Sequence, residues 1–429
     1  MQGEATSGRP RVVIVGGGFG GLSAARALRG ADVSVTLIDR TNHYLFQPLL
    51  YQVATGVLSP ADIASPIRFL LRRQRNATVL MEEVTSIDVP NKAVHVGAAA
   101  VPFDYLILAT GSRHSYFNHP EWESIAPGLK TLEDARQIRH RFLRAFELAE
   151  RSTDRAQQQA LLTFVIVGGG PTGVELAGVM PTIAAKGLRP DFRNVDPACV
   201  RVLLLEGGPR LLPTFPESLS ERARRDLEAL GVECRTNALV TRITDECVYV
   251  GDERIATRTV YWAAGNVASP LARSLGAPVD RAGRVLVEPD LSIPGNANVF
   301  VVGDAAARPL IPGVAAAANQ MGTHAGRMIR RTLDGQPRVP FRYWNKGTLA
   351  VIGRNRAVAD LGRVKLAGLL GWWFWVGVHI AYLAGFRNRL SVMLEWAYAY
   401  VTFRPGARLI TEEEHADTGK SIESPTRFS

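Results

Sequence analysis

The chain has 429 residues, 46% of them hydrophobic and 21% charged, which gives room for two or three domains with a sizeable core and excludes a disordered chain. Its formal charge of +10 is spread along the sequence, with no Lys/Arg block interleaved with aromatics, so nucleic acid is not the expected partner and anionic ligands or lipid remain. Cys199, Cys234 and Cys247 stand far apart without a CxxC pair, which excludes a disulfide framework or zinc site and predicts small core residues.

The N-terminal MQGEATSGRPR is polar and lacks the apolar core of a signal peptide, so the main body is expected in the cytoplasm. The first element is a strand, turn and helix over RVVIVGGGFGGLSAARAL, residues 11–28. Gly16, Gly18 and Gly21 have the GxGxxG spacing, which lets backbone N–H groups approach a pyrophosphate at a helix N-terminus. A second strand, VSVTLIDR, ends in Asp39, a carboxylate placed to bind ribose hydroxyls.

The same pattern returns at TFVIVGGGPTGVELAGVM, residues 163–180, with Gly168, Gly170 and Gly173. Its second strand, VRVLLLEGG, ends in Glu206, which favours NADH because a carboxylate repels a 2′-phosphate; Arg210 stands nearby in sequence. The blander reading makes both acids ordinary strand-end residues, but two acids in two matching contexts favour nucleotide binding. Glu206 follows Gly173 by 33 residues, whereas Asp39 follows Gly21 by 18, and the excess predicts a surface excursion around Lys186–Ala198.

Three further motifs belong to such units. DYLILATGS (104–112) is a strand ending in Thr110-Gly111, TVYWAAG (259–265) repeats it, and NVFVVGDAA (298–306) ends in Gly303-Asp304. Together these resemble the two-dinucleotide-binding-domain flavoproteins. Within that superfamily, NHYLFQPLLYQVATG (42–56), LEGGPRLLPTF (205–215), PGVAAAANQMGTHA (312–325) and GFRNRLSVMLEWAYAYVTFRPGARLI (385–410) resemble the type II NADH dehydrogenases, single-chain NADH:quinone oxidoreductases that do not pump protons.

The resemblance implies an α/β fold of two Rossmann-like domains, for FAD and NADH, plus a C-terminal amphipathic membrane-association region. The expected division is 11–120 and 290–340 for FAD, 121–289 for NADH, 341–410 for the membrane region and 411–429 as a polar tail. It assigns Gly16, Gly18, Gly20, Gly21, Asp39, Arg40, Val84, Ala109, Thr110, Gly111, Gly303, Asp304 and Ala318 to FAD. Gly168, Gly170, Gly173, Glu206, Ala264 and Gly265 go to NADH.

Glu175, two residues past Gly173, is implied at the nicotinamide–flavin contact as a proton-handling group; the blander reading is a carboxylate complementing the helix dipole. Many members carry Gln-x-x-x-Gln beside the flavin, but here Ala316 replaces the first, leaving Gln320 as a donor to quinone or to flavin or backbone. The helix from Pro312-Gly313 is expected to aim its positive end at the flavin, its alanines packing against the ring. Disulfide reductases and sulfide:quinone reductases need redox cysteines that the chain does not carry at matching positions.

The last expected elements are apolar. Leu366–Phe386 runs 21 residues without a charge, includes Trp372, Trp373 and Trp375, and could span a bilayer, pack in the core or lie in the interface. Its His379 reads as a hydrogen-bonded core or interface residue. Leu390, Met393, Leu394, Ala397 and Val401 then fall at helical spacing, with Trp396, Tyr398, Tyr400 and Phe403 alongside and Arg387, Arg389, Arg404 and Arg408 flanking. Such a helix suits the headgroup region. The resemblance likewise implies monotopic attachment, here at the cytoplasmic face of the cell membrane, with the membrane surface and a membrane quinone (ubiquinone or menaquinone) as partners. A homodimer interface is another use open to the aromatic segment. Rival readings are a soluble reductase of a protein carrier such as ferredoxin or rubredoxin, and a non-catalytic NADH-responsive binding protein.

Overall fold

The computed structural model describes residues 8–402 and 406–410; Phe403, Arg404 and the expected tail at 411–429 lie outside them. Two sheets organise the chain. The larger has six strands in the order Ser292–Ile293, Asn296–Val301, Tyr105–Leu108, Arg11–Val15, Ser34–Asp39 and Ala77–Met81. All neighbours are parallel except the hairpin that joins the first two. The second has four parallel strands in the order Val232–Arg235, Arg201–Leu205, Thr163–Val167 and Thr259–Trp262.

These strands form where β-branched and leucine runs can be covered on both faces. Val12, Ile14, Val35, Leu37, Leu106 and Phe300 are all fully buried, as the central strands of a helix-covered parallel sheet require. Strands from both ends of the chain therefore share the larger sheet. Three-stranded antiparallel ribbons at 84–102 and 240–256 follow the third parallel strand of each unit in chain order.

Small residues let the helices approach closely. The helix Ala315–Leu333 crosses the first cradle helix, Phe19–Ala27, where a Cβ on Gly322 would lie 2.0 Å from Gly20 O. The second cradle helix, Pro171–Thr182, instead receives a C-terminal sheet (Thr348–Gly353, Arg356–Asp360, Lys365–Ala367), and a Cβ on Gly178 would lie 1.6 Å from Ile352 O. Neither contact survives a side chain at that glycine.

The apolar C-terminal run does not form one long helix. Leu366 belongs to a strand, Gly368–Tyr382 is a helix of 15 residues, and the chain breaks at Leu383–Gly385 before a second helix, Phe386–Thr402. Fifteen residues reach about 22 Å, short of the ~30 Å hydrocarbon core. Among the described residues no helix is long and apolar enough to cross a membrane. Gly385, at φ +87°, takes the left-handed conformation that turns the chain between the two helices.

The expected excursion after the second cradle helix begins as a continuation of that helix. Ile183–Leu188 is a wide helical turn with Ile183, Ala184 and Leu188 buried, and only the stretch from Arg189 onward is mostly exposed. Cys247 is buried, but Cys234 is only part-buried and Cys199 is exposed, so the core role fails for Cys199.

Candidate active site

Each cradle is built by backbone approach. Gly16, at φ +102°, and Gly168, at φ +113°, hold the left-handed turn that ends the strand. A Cβ on Gly16 would sit 2.4 Å from Ala109 O, and one on Gly168 would sit 2.6 Å from the Ala263 carbonyl carbon. The third glycines face inward too, Gly21 1.7 Å from Gly16 O and Gly173 1.9 Å from Gly168 O by the same measure. The middle glycines differ: nothing lies within 4 Å of a Cβ on Gly18 or Gly170, which cap the two helices without any side-chain hydrogen bond. Open space above uncapped backbone donors fits a pyrophosphate in both places.

The two acids close the cradles in the same way. Gly17 N donates to Asp39 Oδ2 at 2.6 Å, and Gly169 N donates to Glu206 Oε2 at 2.6 Å. Asp39 also accepts from Thr41, and Glu206 from Gly208 N at 2.7 Å. Arg40 is exposed beside Asp39, and Glu82 N donates to Asp39 O, which brings the turn before Val84 to the same edge. Arg210 is turned away, its Nη2 donating to Pro213 O at 2.9 Å.

The remaining first-cradle residues converge. A Cβ on Gly20 would meet Val302, Ala318 and Ala109, and one on Gly303 would meet Ala318. Thr110 Oγ1 is buried without a hydrogen-bond partner beside this cluster, which is what a residue awaiting a ligand contact would show. Asp304 accepts from Ser112 Oγ at 2.9 Å. In the second unit Ala264 borders Gly168, and Gly265, at φ +68°, lies against Ser115 and Phe117.

Glu175 lies in the second turn of its helix, because the helix begins at Pro171, and no acid occupies the first turn. A role in complementing the helix dipole is therefore not its main one. Part of the residue is accessible, but enclosure of the carboxyl group pushes its pKa up to about 8, the Val351 backbone amide opposing. Tyr51 lies close enough for the Glu175 charge to add to the burial that raises its phenol far above the ordinary value.

Tyr51 and Gln52 belong to the NHYLFQPLLYQVATG stretch, whose residue types alone give neither of them a role. Gln52 Nε2 donates to Tyr51 Oη at 2.7 Å, and Trp396 Nε1 donates to Gln52 Oε1 at 2.7 Å. The last helix is thus tied to the interior near Glu175. Residue spacing could not reveal a bond between positions 344 residues apart. Beside it lies an apolar cavity of about 170 Å³, bordered by Tyr51, Gly178, Val351, Trp375 and Trp396. Trp375 Nε1 is buried there without a partner.

Gln320 is placed differently from Glu175. Its Nε2 donates to Trp344 O at 3.0 Å and its Oε1 accepts from Trp344 N at 2.9 Å. Both ends of the amide fasten the chain that leaves the Ala315–Leu333 helix, so backbone bonding, not a free quinone donor, is what the geometry displays. That helix starts at Ala315, after Val314, with Ala317 and Ala318 buried. His379 is buried, bonded through Nδ1 to Trp375 O at 2.8 Å and stacked on Trp375, and burial lowers its pKa to about 4.

The outward face of the C-terminal helices is apolar. Leu370 is 71% exposed, Phe386 82%, Leu394 63% and Val401 78%, and Trp373, Leu390 and Met393 join them. The flanking groups divide in a way their spacing did not foretell. Trp396 turns inward to Gln52. Arg389 caps the preceding helix through Leu383 O and Ala381 O, and Arg408 bonds Gly187 O and Asp191.

The family description of pyridine nucleotide-disulphide oxidoreductases matches residues 10–322, and that of the NDH2 C-terminal domain matches residues 345–404. A type II NADH:quinone oxidoreductase of Mycobacterium tuberculosis, NdhA, is 44% identical over 428 residues, covering 96% of this chain and 91% of the relative. Demethylphylloquinone reductase NdbB of Synechocystis is 30% identical, covering 91% of this chain and 96% of that protein. The solved structure of NDH2 from Plasmodium falciparum in complex with NADH superposes with a TM-score of 0.85 at 21% identity, covering 93% and 99% of the two chains. With two matching cradles and a matching C-terminal unit, the chain belongs to the pyridine nucleotide-disulphide oxidoreductases and, within them, to the type II NADH:quinone oxidoreductase family.

Proposed function

We propose that the chain oxidises NADH and reduces a membrane quinone by two electrons through bound FAD, without pumping protons. The observation that carries this reading is the second cradle helix. Its N-terminus is open for a dinucleotide, its second turn holds Glu175, and its far end borders an apolar cavity beneath a membrane-suited surface.

The first cradle holds FAD, with Asp39 on its ribose and Asp304 on its ribityl chain. Bound FAD supplies the two-electron redox chemistry, which no side chain of the protein can perform. The second cradle orients NADH, with Glu206 on the adenosine ribose and excluding a 2′-phosphate. Glu175, with a pKa of about 8, keeps its proton at neutral pH and can release it to a quinone that is being reduced. The apolar lining of the cavity beside Tyr51 suits an apolar substrate.

The exposed face of Gly368–Tyr382 and Phe386–Thr402 docks monotopically on the cytoplasmic side of the membrane, where isoprenoid quinones reside. The relatives named quinone oxidoreductases favour this acceptor over a soluble protein carrier. The working domain limits are 11–120 with 290–340 for FAD, 121–289 for NADH and 341–410 for the membrane unit.

Anaerobic rapid mixing tests the reaction. NADH should bleach the flavin absorbance, a short-tailed quinone should restore it, and NADPH should bleach more slowly. Bleaching that no quinone reverses would overturn the assignment of the acceptor. High salt should release the protein from membranes only in part, whereas detergent should release it fully.

A further inference from the structure

One part-buried cation near the Gly303-Asp304 motif has no part in the reaction as described. Lys130 precedes Thr131, the N-cap of the helix Leu132–Arg151. Its backbone is pinned on both sides. Lys130 N and Thr131 N donate to Asp134 Oδ2 at 2.8 and 2.9 Å, and Gln47 Nε2 donates to Lys130 O at 3.0 Å. Its side chain runs the other way. Nζ donates to Ser112 Oγ at 2.9 Å, and Ser112 Oγ donates onward to Asp304 Oδ2 at 2.9 Å. Ser112 directly follows Thr110-Gly111, so this chain of bonds joins both motifs that close the first cradle.

We propose that Lys130 is a positioning residue of the flavin site: it fixes Asp304 through Ser112, and its charge offsets the negative charge that flavin gains on reduction. The inference rests on FAD occupying the first cradle. A structural tether alone would not need an ammonium. Burial disfavours its charge, and the carboxylates that oppose this effect are Asp304 and Asp134. Asp134 Oδ2 accepts from two backbone amides, whereas the hydrogen bond that Lys130 Nζ makes is to Ser112, which carries it on to Asp304.

The site also sits where the two sheets meet. Trp262 N donates to Pro127 O at 2.9 Å and Trp262 Nε1 donates to Ser115 O at 2.9 Å, so residues 112–130 link the end of a second-sheet strand to Asp304. A cation here is held by both units and can keep its place when either cradle fills.

The test is made on purified holoenzyme, with two readouts apart from turnover: the flavin midpoint potential and the rate at which FAD is lost on dilution. In Lys130→Met, or in Lys130→Gln should the first fold poorly, the ratio of reduced to oxidised flavin should fall about tenfold at a fixed potential, a shift of about 30 mV to the negative for two electrons. FAD should also leave faster. Lys130→Arg should restore most of the potential, because it keeps the charge. Ser112→Ala should speed FAD loss with a smaller change in potential. An unchanged potential in both neutral variants would overturn the proposal and leave Lys130 as a tether. A native chain that takes up no FAD would instead overturn the reading of the first cradle.

Discussion

The two cradles have nearly the same local packing and do different work. Corresponding glycines make corresponding close approaches, and both acids accept the same backbone bond at 2.6 Å. The difference lies two residues past the third glycine. In the first cradle this is Ser23, whose hydroxyl donates to Asn319 Oδ1 at 2.9 Å and fastens the helix to Ala315–Leu333. In the second it is Glu175, walled in by the C-terminal sheet beside Tyr51. One fold unit thus offers the same helix position twice. What packs on the helix decides whether that position joins helices, as Ser23 does, or encloses a carboxyl group, as at Glu175.

The largest test of this comparison uses the middle glycines, where a side chain meets no protein. Gly18→Val should leave the chain folded and remove bound FAD. Gly170→Val should keep the yellow, FAD-loaded protein and abolish its bleaching by NADH. If both variants lose FAD, the cradles do not divide the two nucleotides as proposed.

Next in size is Glu175→Gln. NADH:quinone turnover should fall by about a hundredfold, the lower end for loss of a positioned acid, with FAD still bound. Turnover equal to the native protein would sink the proton role.

A smaller effect follows from the raised pKa of Glu175. The native carboxyl keeps a proton that the unfolded chain releases between its ordinary value of 4.5 and about 8. Native stability should therefore fall as pH rises through that window, because the unfolded state binds fewer protons there. Glu175→Gln removes the titration, so it should gain on the native protein in thermal melts as pH passes from 5 to 8. Parallel pH profiles for the two proteins would show that the carboxyl is not enclosed. The smallest effect is expected for Ser23→Ala. Loss of one partly buried hydrogen bond should cost about 1 kcal/mol in denaturant melts, with turnover close to native. A loss of turnover as deep as that of Glu175→Gln would erase the contrast between the two positions.

Much of the fold and of both cradles was legible because each depends on local rules. Strands buried on both faces need continuous apolar runs, a turn against a pyrophosphate needs glycines at fixed spacing, and an acid ends the next strand. Leu390, Met393, Leu394 and Val401 likewise mark one face of a helix by their spacing alone. That the face points outward was not in the pattern, since an apolar stripe reads the same against a core or a membrane.

The rest was decided in three dimensions. The 21-residue apolar run counted as a possible span until Gly385 and the strand at Lys365–Ala367 divided it. The sequence leaves Gln320 a donor to quinone, to flavin or to backbone, and the structure shows both ends of its amide bonded to the Trp344 backbone. Tyr51, Gln52 and Trp396, or Lys130, Ser112 and Asp304, have no shared spacing that a reader could test. By itself the sequence determined the two nucleotide cradles, the acids that close them and the presence of an apolar C-terminal face, because those depend on neighbours along the chain. Only the tertiary structure decided which polar groups meet at the site and how strongly Glu175 holds its proton, because burial and partner choice come from residues tens or hundreds of positions away.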